Sequence, residues 1–333
     1  MHVDINCYLR FWNRFISNIT YSKNVSLETF SQIKIDIEPD KGIVWKYLKP
    51  YPRPCFNSQL IAEVEHLQTM LKFYKGKLPY QGKLVPIKYH VMDSLTPGIF
   101  NFGGDLDKFF KLISAQDEEG MCRYAKSCID GIYPIMTNFN LPITTISLVR
   151  GDALGGGCEV ALSSSIVVAE KGVQMGFPEI LFNLFPGMGG YHLLKRRLNP
   201  SKAEEMLLNG RVYSAEEMHE MGIIDVLAEV GEGKQALYEK IAECEKHRKG
   251  RMAMQKVMAR TEPVDYDELL DVCQIWVKAA MQLSEKDLRM MSRLVKAQDR
   301  KIQSVVFDSN AAGNDQINEH DEASNEMINQ NIA

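Results

Sequence analysis

Residues 143–161, ITTISLVRGDALGGGCEVA, narrow the possible folds more than any other stretch of the chain. A β-branched run that favours a strand leads directly into three consecutive glycines, Gly155 to Gly157. Glycines carry no Cβ, so a ligand can touch their backbone N–H groups. If a helix starts there, its first free N–H groups and its dipole point at that ligand. A strand that turns this tightly into a helix belongs to folds in which the two alternate.

The rest of the chain keeps the alternation. IKIDIE (33–38) and IVWKYL (43–48) predict two strands joined by the turn-forming PDKG. After the proline-rich PYPRPCFNS, the residues Leu60, Ile61, Val64, Leu67 and Leu71 predict one apolar helix face. IKYHVMDS (87–94) reads as a core strand, TPGIFNFGGDL (96–106) as a loop with a short strand, and 107–140 as two helices. SIVVAE (165–170) predicts a further strand; beyond 178 the chain reads as mostly helical, with one strand at GIIDVLAE (222–229). The pattern is α/β with parallel pairing. Over 265–300, residues from Leu269 and Trp276 to Leu294 predict a long amphipathic helix or a helix pair, suited to a lid or a subunit contact.

The ends differ from the middle. Leu9, Trp12, Ile16 and Ile19 predict a short amphipathic helix in an N-terminal segment, 1–28. Residues 29–230 read as the core and 231–300 as a C-terminal helical region. The segment 301–333 carries six acidic residues against Lys301 alone and has too little apolar surface to offset ordering entropy, which predicts a disordered acidic tail.

Composition closes off other classes. A net charge of −4 gives no case for nucleic acid as a partner. No uncharged apolar window of about 20 residues suggests a membrane span, and no secretory signal is visible. Seven scattered cysteines without a CxxC pair suit reduced thiols in a cytoplasm. Seven dispersed histidines show no HExxH spacing, so no metal is expected. Neither GxGxxG nor GxxxxGK[ST] occurs, so these motifs imply no nucleotide cofactor.

Two glutamates stand out. Glu159 lies two residues past the glycine run in an apolar, small-residue stretch, where burial would raise its pKa toward the range useful for acid–base work. Glu179 follows Pro178, where a helix N-terminal charge would also explain it. FNFGGDL (100–106) offers a second exposed amide at Gly103 or Gly104, so donors from two loops could hold one carbonyl oxygen. Cys158 reads as a small packing residue. Lys195, Arg196 and Arg197 form either a solvated helix face or a surface for an acidic carrier protein.

ALGGGCE, then PE with its glutamate twenty positions after Glu159, then FPGMGG, together resemble the enoyl-CoA hydratase/isomerase (crotonase) superfamily over roughly 85–230. That resemblance implies a spiral of ββα units with a C-terminal helical region, usually assembled as trimers. It places Glu159 and Glu179 on the two catalytic glutamates, and Gly104 and Gly156 on the oxyanion-hole amides. More narrowly, FNFGGDL, MGFPEILFNLFPGMGGYH, YSAEEMHEMGIID and IWVKAAMQLSEKDLRMMSRLVKAQ resemble diffusible signal factor synthases. Those bacterial enzymes are understood to dehydrate a 3-hydroxyacyl chain on acyl carrier protein and hydrolyse the thioester to a cis-2-unsaturated quorum signal. The likeness implies that Met188, Trp276 and Leu294 line or cover the acyl-chain pocket; taken alone, Met188 and Leu294 fit core packing equally well. An ordinary hydratase or isomerase acting on acyl-CoA is the alternative. A regulatory partner of a sensor kinase is a third reading, against which the two glutamates argue. Which glutamate is acid and which is base stays open at this level.

Overall fold

The computed structural model describes residues 30–304. The expectations for residues 1–28, and for the tail beyond 304, lie outside the described residues. Two sheets organise the rest. The larger has six strands in the order β1 (Ile33–Glu38), β2 (Ile43–Leu48), β5 (Tyr89–Ser94), β7 (Thr144–Val149), β9 (Ile166–Glu170) and β12 (Val226–Ala228). The smaller has four, β11 (Val212–Ser214), β10 (Gln174–Gly176), β8 (Asp152–Leu154) and β6 (Ile99–Asn101). Strands β3 (Lys77–Tyr80) and β4 (Lys83–Pro86) form a separate hairpin.

The chain alternates between the two sheets. β5 is followed by β6, then by helices α2 (Leu106–Ser114) and α3 (Glu118–Met136). β7 is followed by β8 and α4 (Gly156–Leu162). β9 is followed by β10, a 3₁₀ turn over Pro178–Phe182, and helices α5 (Gly190–Lys195) and α6 (Pro200–Asn209). Each turn lays one strand in each sheet and closes with helix, which is the ββα spiral expected from the resemblance. The pairs β5–β7 and β7–β9 are parallel, and all six residues of β7 are buried, as a strand covered on both faces requires.

Helices close both faces of the larger sheet. On one face, Leu237, Ile241 and Cys244 of α8 (Gly233–Lys246) pack against Trp45, Tyr47, Val91 and Leu148. The other is covered by α1 (Ser58–Phe73) and α3, with Ile61, Val64 and Ile132 beside Leu48 and Met92. Asn57 caps α1 by accepting the Leu60 N–H at 2.9 Å, and the predicted face Leu60, Ile61, Val64, Leu67 and Leu71 is the buried one.

Several elements differ from the sequence reading. The segment 222–229 keeps only Val226–Ala228 as strand, and β11 is an additional one after 178. β8 and β10 have three residues each, too few for a period to show. A short helix α7 (Ala215–Glu220) links β11 to β12, and α9 (Arg248–Thr261) follows α8. Residues 265–300 form a pair of helices, α10 (Tyr266–Met281) and α11 (285–304). Asp287 accepts the N–H of Ser284 at 2.9 Å, a capping arrangement that starts the second helix afresh. α11 runs four residues past the boundary at 300.

Candidate active site

The larger cluster of candidate residues is built where β8 turns into α4. Gly155 makes that turn with φ +56°, a left-handed conformation that favours glycine. A Cβ there would stand 2.5 Å from Glu179 Oε1, so the position excludes a side chain on two counts. Gly157 fits against β6 so closely that a Cβ would lie 2.0 Å from the Asn101 carbonyl oxygen. Asn101 in turn shapes the second loop, its Oδ1 accepting the Gly103 N–H at 2.7 Å.

Amides that flank the two candidate donors are engaged. Gly155 N–H donates to Gly176 O at 2.8 Å and Asp105 N–H donates to the Tyr124 hydroxyl at 3.1 Å. Among the described residues, the N–H groups of Gly104 and Gly156 have no partner. A Cβ placed on Gly156 would stand 3.4 Å from Gly104 N, so the two loops face one another across a narrow gap. Two free donors from separate loops can hold one oxygen that gains negative charge.

Glu159 sits in the first turn of α4 and is 1% exposed. Its Oε1 accepts the N–H groups of Met188 and Gly190, each at 2.8 Å. Burial, and secondarily the charge of Glu179, pushes its carboxyl well above the usual carboxylate range against the pull of those two bonds. Glu179 rides on the 3₁₀ turn, and its Oε2 is buried with no hydrogen-bond partner. Burial raises its pKa to about 7. Both carboxyls are thus shifted upward by burial, Glu179 to about 7 and Glu159 in the same direction, with the charge of Glu179 adding to the effect. A pair of carboxyls in different protonation states is the arrangement that acid–base chemistry uses.

Both carboxyls open on a cavity of about 330 Å³ with a mostly apolar lining. Gly104, Gly156, Glu159, Glu179, Met188, Trp276 and Leu294 all line it. α10 supplies Trp276 and α11 supplies Leu294, so the C-terminal helices form one wall. Trp276 meets Phe109 edge-on with centroids 5.1 Å apart, and Phe109 meets Tyr124 the same way at 5.3 Å. Phe109 and Tyr124 are not singled out by any motif or spacing in the sequence. Tyr124 also donates to Phe56 O at 2.6 Å and, by accepting the Asp105 N–H, ties α3 to the Gly104 loop. Two ion pairs hold α11 down, Asp299 with Arg53 at 2.9 Å and Lys301 with Asp152.

The basic run 195–197 is not a uniform solvated face. Arg197 donates to Ile223 O at 2.8 Å and Ser164 O at 3.1 Å, which locks the turn before β12. Lys195 lies beside the Tyr191 ring. Cys158 is fully buried, with its thiol pushed up by that burial, which fits packing and not nucleophilic attack. Among the described residues no helix is long and apolar enough to cross a membrane, and no three His, Cys, Asp or Glu side chains gather as metal ligands.

The enoyl-CoA hydratase/isomerase family pattern matches residues 87–270, more than half of the chain, and the chain belongs to that family. It is 29% identical over 221 residues to the mitochondrial methylglutaconyl-CoA hydratase of Mus musculus, a match covering 66% of this chain and 65% of that protein. It is 33% identical over 127 residues to a probable enoyl-CoA hydratase of Mycobacterium bovis, covering 38% of this chain and 46% of that one. The chain thus spans less than two thirds of the length of these relatives. Among solved structures, the enoyl-CoA hydratase of Bacillus halodurans superposes with a TM-score of 0.67 at 15% identity, over 79% of this chain and 100% of that one. Pseudomonas aeruginosa DspI superposes with a TM-score of 0.60 at 19% identity, over 72% and 91%. At these identities the structural matches establish the α/β crotonase fold.

Proposed function

We propose that the chain dehydrates a 3-hydroxyacyl thioester on acyl carrier protein and then hydrolyses the thioester, releasing a cis-2-unsaturated acid of the diffusible signal factor type. The observation that carries this reading is the meeting of two carboxyls with raised pKa and two unpartnered amides in one apolar cavity. The motifs shared with signal synthases supply the choice of substrate.

The geometry supports the following steps. The thioester oxygen takes the N–H groups of Gly104 and Gly156, which stabilise the charge that builds as the α-proton leaves. Glu179, which titrates near neutrality, removes that proton as a carboxylate. Glu159, whose protonated form burial favours, gives its proton to the departing 3-hydroxyl, so water leaves as the double bond forms. Glu159 is then ionised and can take a proton from a second water, which adds to the carbonyl carbon. The same two amides hold the resulting oxyanion. As it collapses the C–S bond breaks, and the departing sulfur takes the proton that Glu179 had removed. This releases the thiol and the free acid and restores the Glu179 carboxylate and the Glu159 carboxyl.

A second reading, hydration of an acyl-CoA, is favoured by the match to methylglutaconyl-CoA hydratase. Incubation with 3-hydroxyacyl carrier protein and, separately, with crotonyl-CoA tells them apart by mass spectrometry. Free cis-2-enoic acid is the expected product, and hydration of crotonyl-CoA alone overturns the first reading. Turnover of neither, with tight binding to a sensor-kinase domain, favours a regulatory role. Glu159→Gln and Glu179→Gln are each expected to abolish product while far-UV circular dichroism stays unchanged.

A further inference from the structure

Behind Met188 lies a second, smaller cavity of about 30 Å³. Met188 and Cys128 line both this chamber and the larger one, so the two adjoin at these side chains. The walls are almost wholly apolar, with Leu48, Ile61, Met92, Ile135 and Val160 among them. One wall residue is out of place. Lys46, on β2, is 1% exposed and makes no hydrogen bond or ion pair among the described residues.

A buried amine without a partner is costly, and burial pushes Lys46 down to about 7. Acids on the neighbouring elements are occupied. Glu63 of α1 takes the N–H groups of Ser31, Gln32 and Ile33. Asp93 of β5 is held by Arg150 at 2.7 Å. The other polar side chain of the chamber, Ser127, spends its hydroxyl proton on Tyr124 O at 2.7 Å. Nothing in the described fold therefore satisfies the amine, and Lys46 is among the residues that line the chamber's free space. Its volume of about 30 Å³ compares with roughly 10–15 Å³ needed for one water, so it admits two water-sized groups. The two oxygens of a carboxylate need about that space.

We infer that the small chamber is the far end of the acyl site and that Lys46 there receives a terminal carboxylate, so that the protein takes acyl thioesters of dicarboxylic acids. The inference rests on the reading of the larger cavity as an acyl-thioester site. The chain enters past Met188, whose unbranched side chain turns aside easily. Its carboxylate meets Lys46, and the amine gains in the complex the partner it lacks in the free protein.

The test uses the full chain and 3-hydroxyacyl thioesters of matched length, from about six to twelve carbons, ending in either a methyl or a carboxylate, carried on CoA for binding and on acyl carrier protein for turnover. Binding is read by protection against thermal unfolding, which needs no turnover, and product is followed in parallel. At one chain length the carboxylate series is expected to bind at least about tenfold more tightly than the methyl series. Lys46→Met, similar in length and apolar, is expected to abolish or reverse that preference while leaving butyryl-CoA, too short to reach the chamber, unaffected. Preference for the methyl series at every length, or a carboxylate preference that survives Lys46→Met, overturns the inference. If methyl-ended thioesters bind and turn over equally well or better, the proposed function stands and this inference falls. If the carboxylate preference appears without dehydration, this inference stands and the proposed function falls.

Discussion

Glu179→Gln separates the electrostatics of the site from its chemistry. Burial lifts this carboxyl from an ordinary 4.5 to about 7. A carboxyl whose pKa is higher in the folded than in the unfolded chain binds more protons when folded, so its contribution to stability falls as pH rises. The loss begins near pH 4.5, is complete somewhat above pH 7, and is flat outside that window. At about 1.4 kcal/mol per pH unit, the ionised side chain costs the fold up to roughly 3 kcal/mol at pH 8. Glutamine cannot ionise and escapes this cost. Any packing penalty of its amide, which replaces an unpartnered Oε2, is the same at every pH.

The informative quantity is therefore the change in the difference between the two proteins. Relative to wild type, Glu179→Gln is expected to gain about 2–3 kcal/mol between pH 5 and pH 8, roughly 4–10 °C in melting temperature for a chain of this size. Thermal melts of both proteins at the two pH values measure it, and effects of all other groups largely cancel. The cancellation is incomplete at Glu159, whose pKa is raised partly by the charge of Glu179. The Glu159→Gln/Glu179→Gln double variant removes that coupling and should show the larger pH-dependent gain. A melting difference that does not vary with pH, or one that favours wild type as pH rises, refutes the argument that Glu179 is a desolvated carboxyl.

The same site supports further measurements. Gly156→Ala would put a methyl 2.7 Å from Met188 Cε and 3.4 Å from Gly104 N, in the gap between the two free amides; kcat is expected to fall by about 10²–10³ with circular dichroism unchanged. Trp276→Ala empties a position that is 6% exposed and packed on Phe109, so chemical denaturation should show a loss of about 3–5 kcal/mol. Lys301→Met removes the partly exposed pair with Asp152, which should change stability by less than about 1 kcal/mol while raising KM for acyl thioesters, more at low salt than at high. Because Glu179 must be ionised to accept the α-proton, kcat should rise with pH through about 7; a flat profile from pH 5.5 to 8.5 removes Glu179 from that role.

The part of the site that shows in the sequence is the part whose chemistry is contiguous in the chain. Gly155 needs its freedom for a local reason, a φ of +56°, while Gly157 lacks a side chain because the Asn101 carbonyl would stand 2.0 Å from a Cβ. The three glycines are nonetheless adjacent in sequence, and Glu159 follows within the same turn. The cavity walls are another matter. Phe109 and Tyr124 meet Trp276 only because α2, α3 and α10 pack together, and no local period reports such a meeting. Lys46 is the sharpest case. In IVWKYL it lies between Trp45 and Tyr47, and alternation makes it the polar, solvent-facing member of a half-buried strand. But β2 is an interior strand of a six-stranded sheet with helices on both faces. Trp45 and Tyr47 turn to α8, and the opposite face, which would be wet in a two-layer protein, is closed by α1 and α3. Whether an alternating strand has one dry face or two depends on what later parts of the chain cover it with. Residues 118–136 lie about seventy positions downstream of Lys46, and their packing turns a surface lysine into a buried amine that lines a cavity.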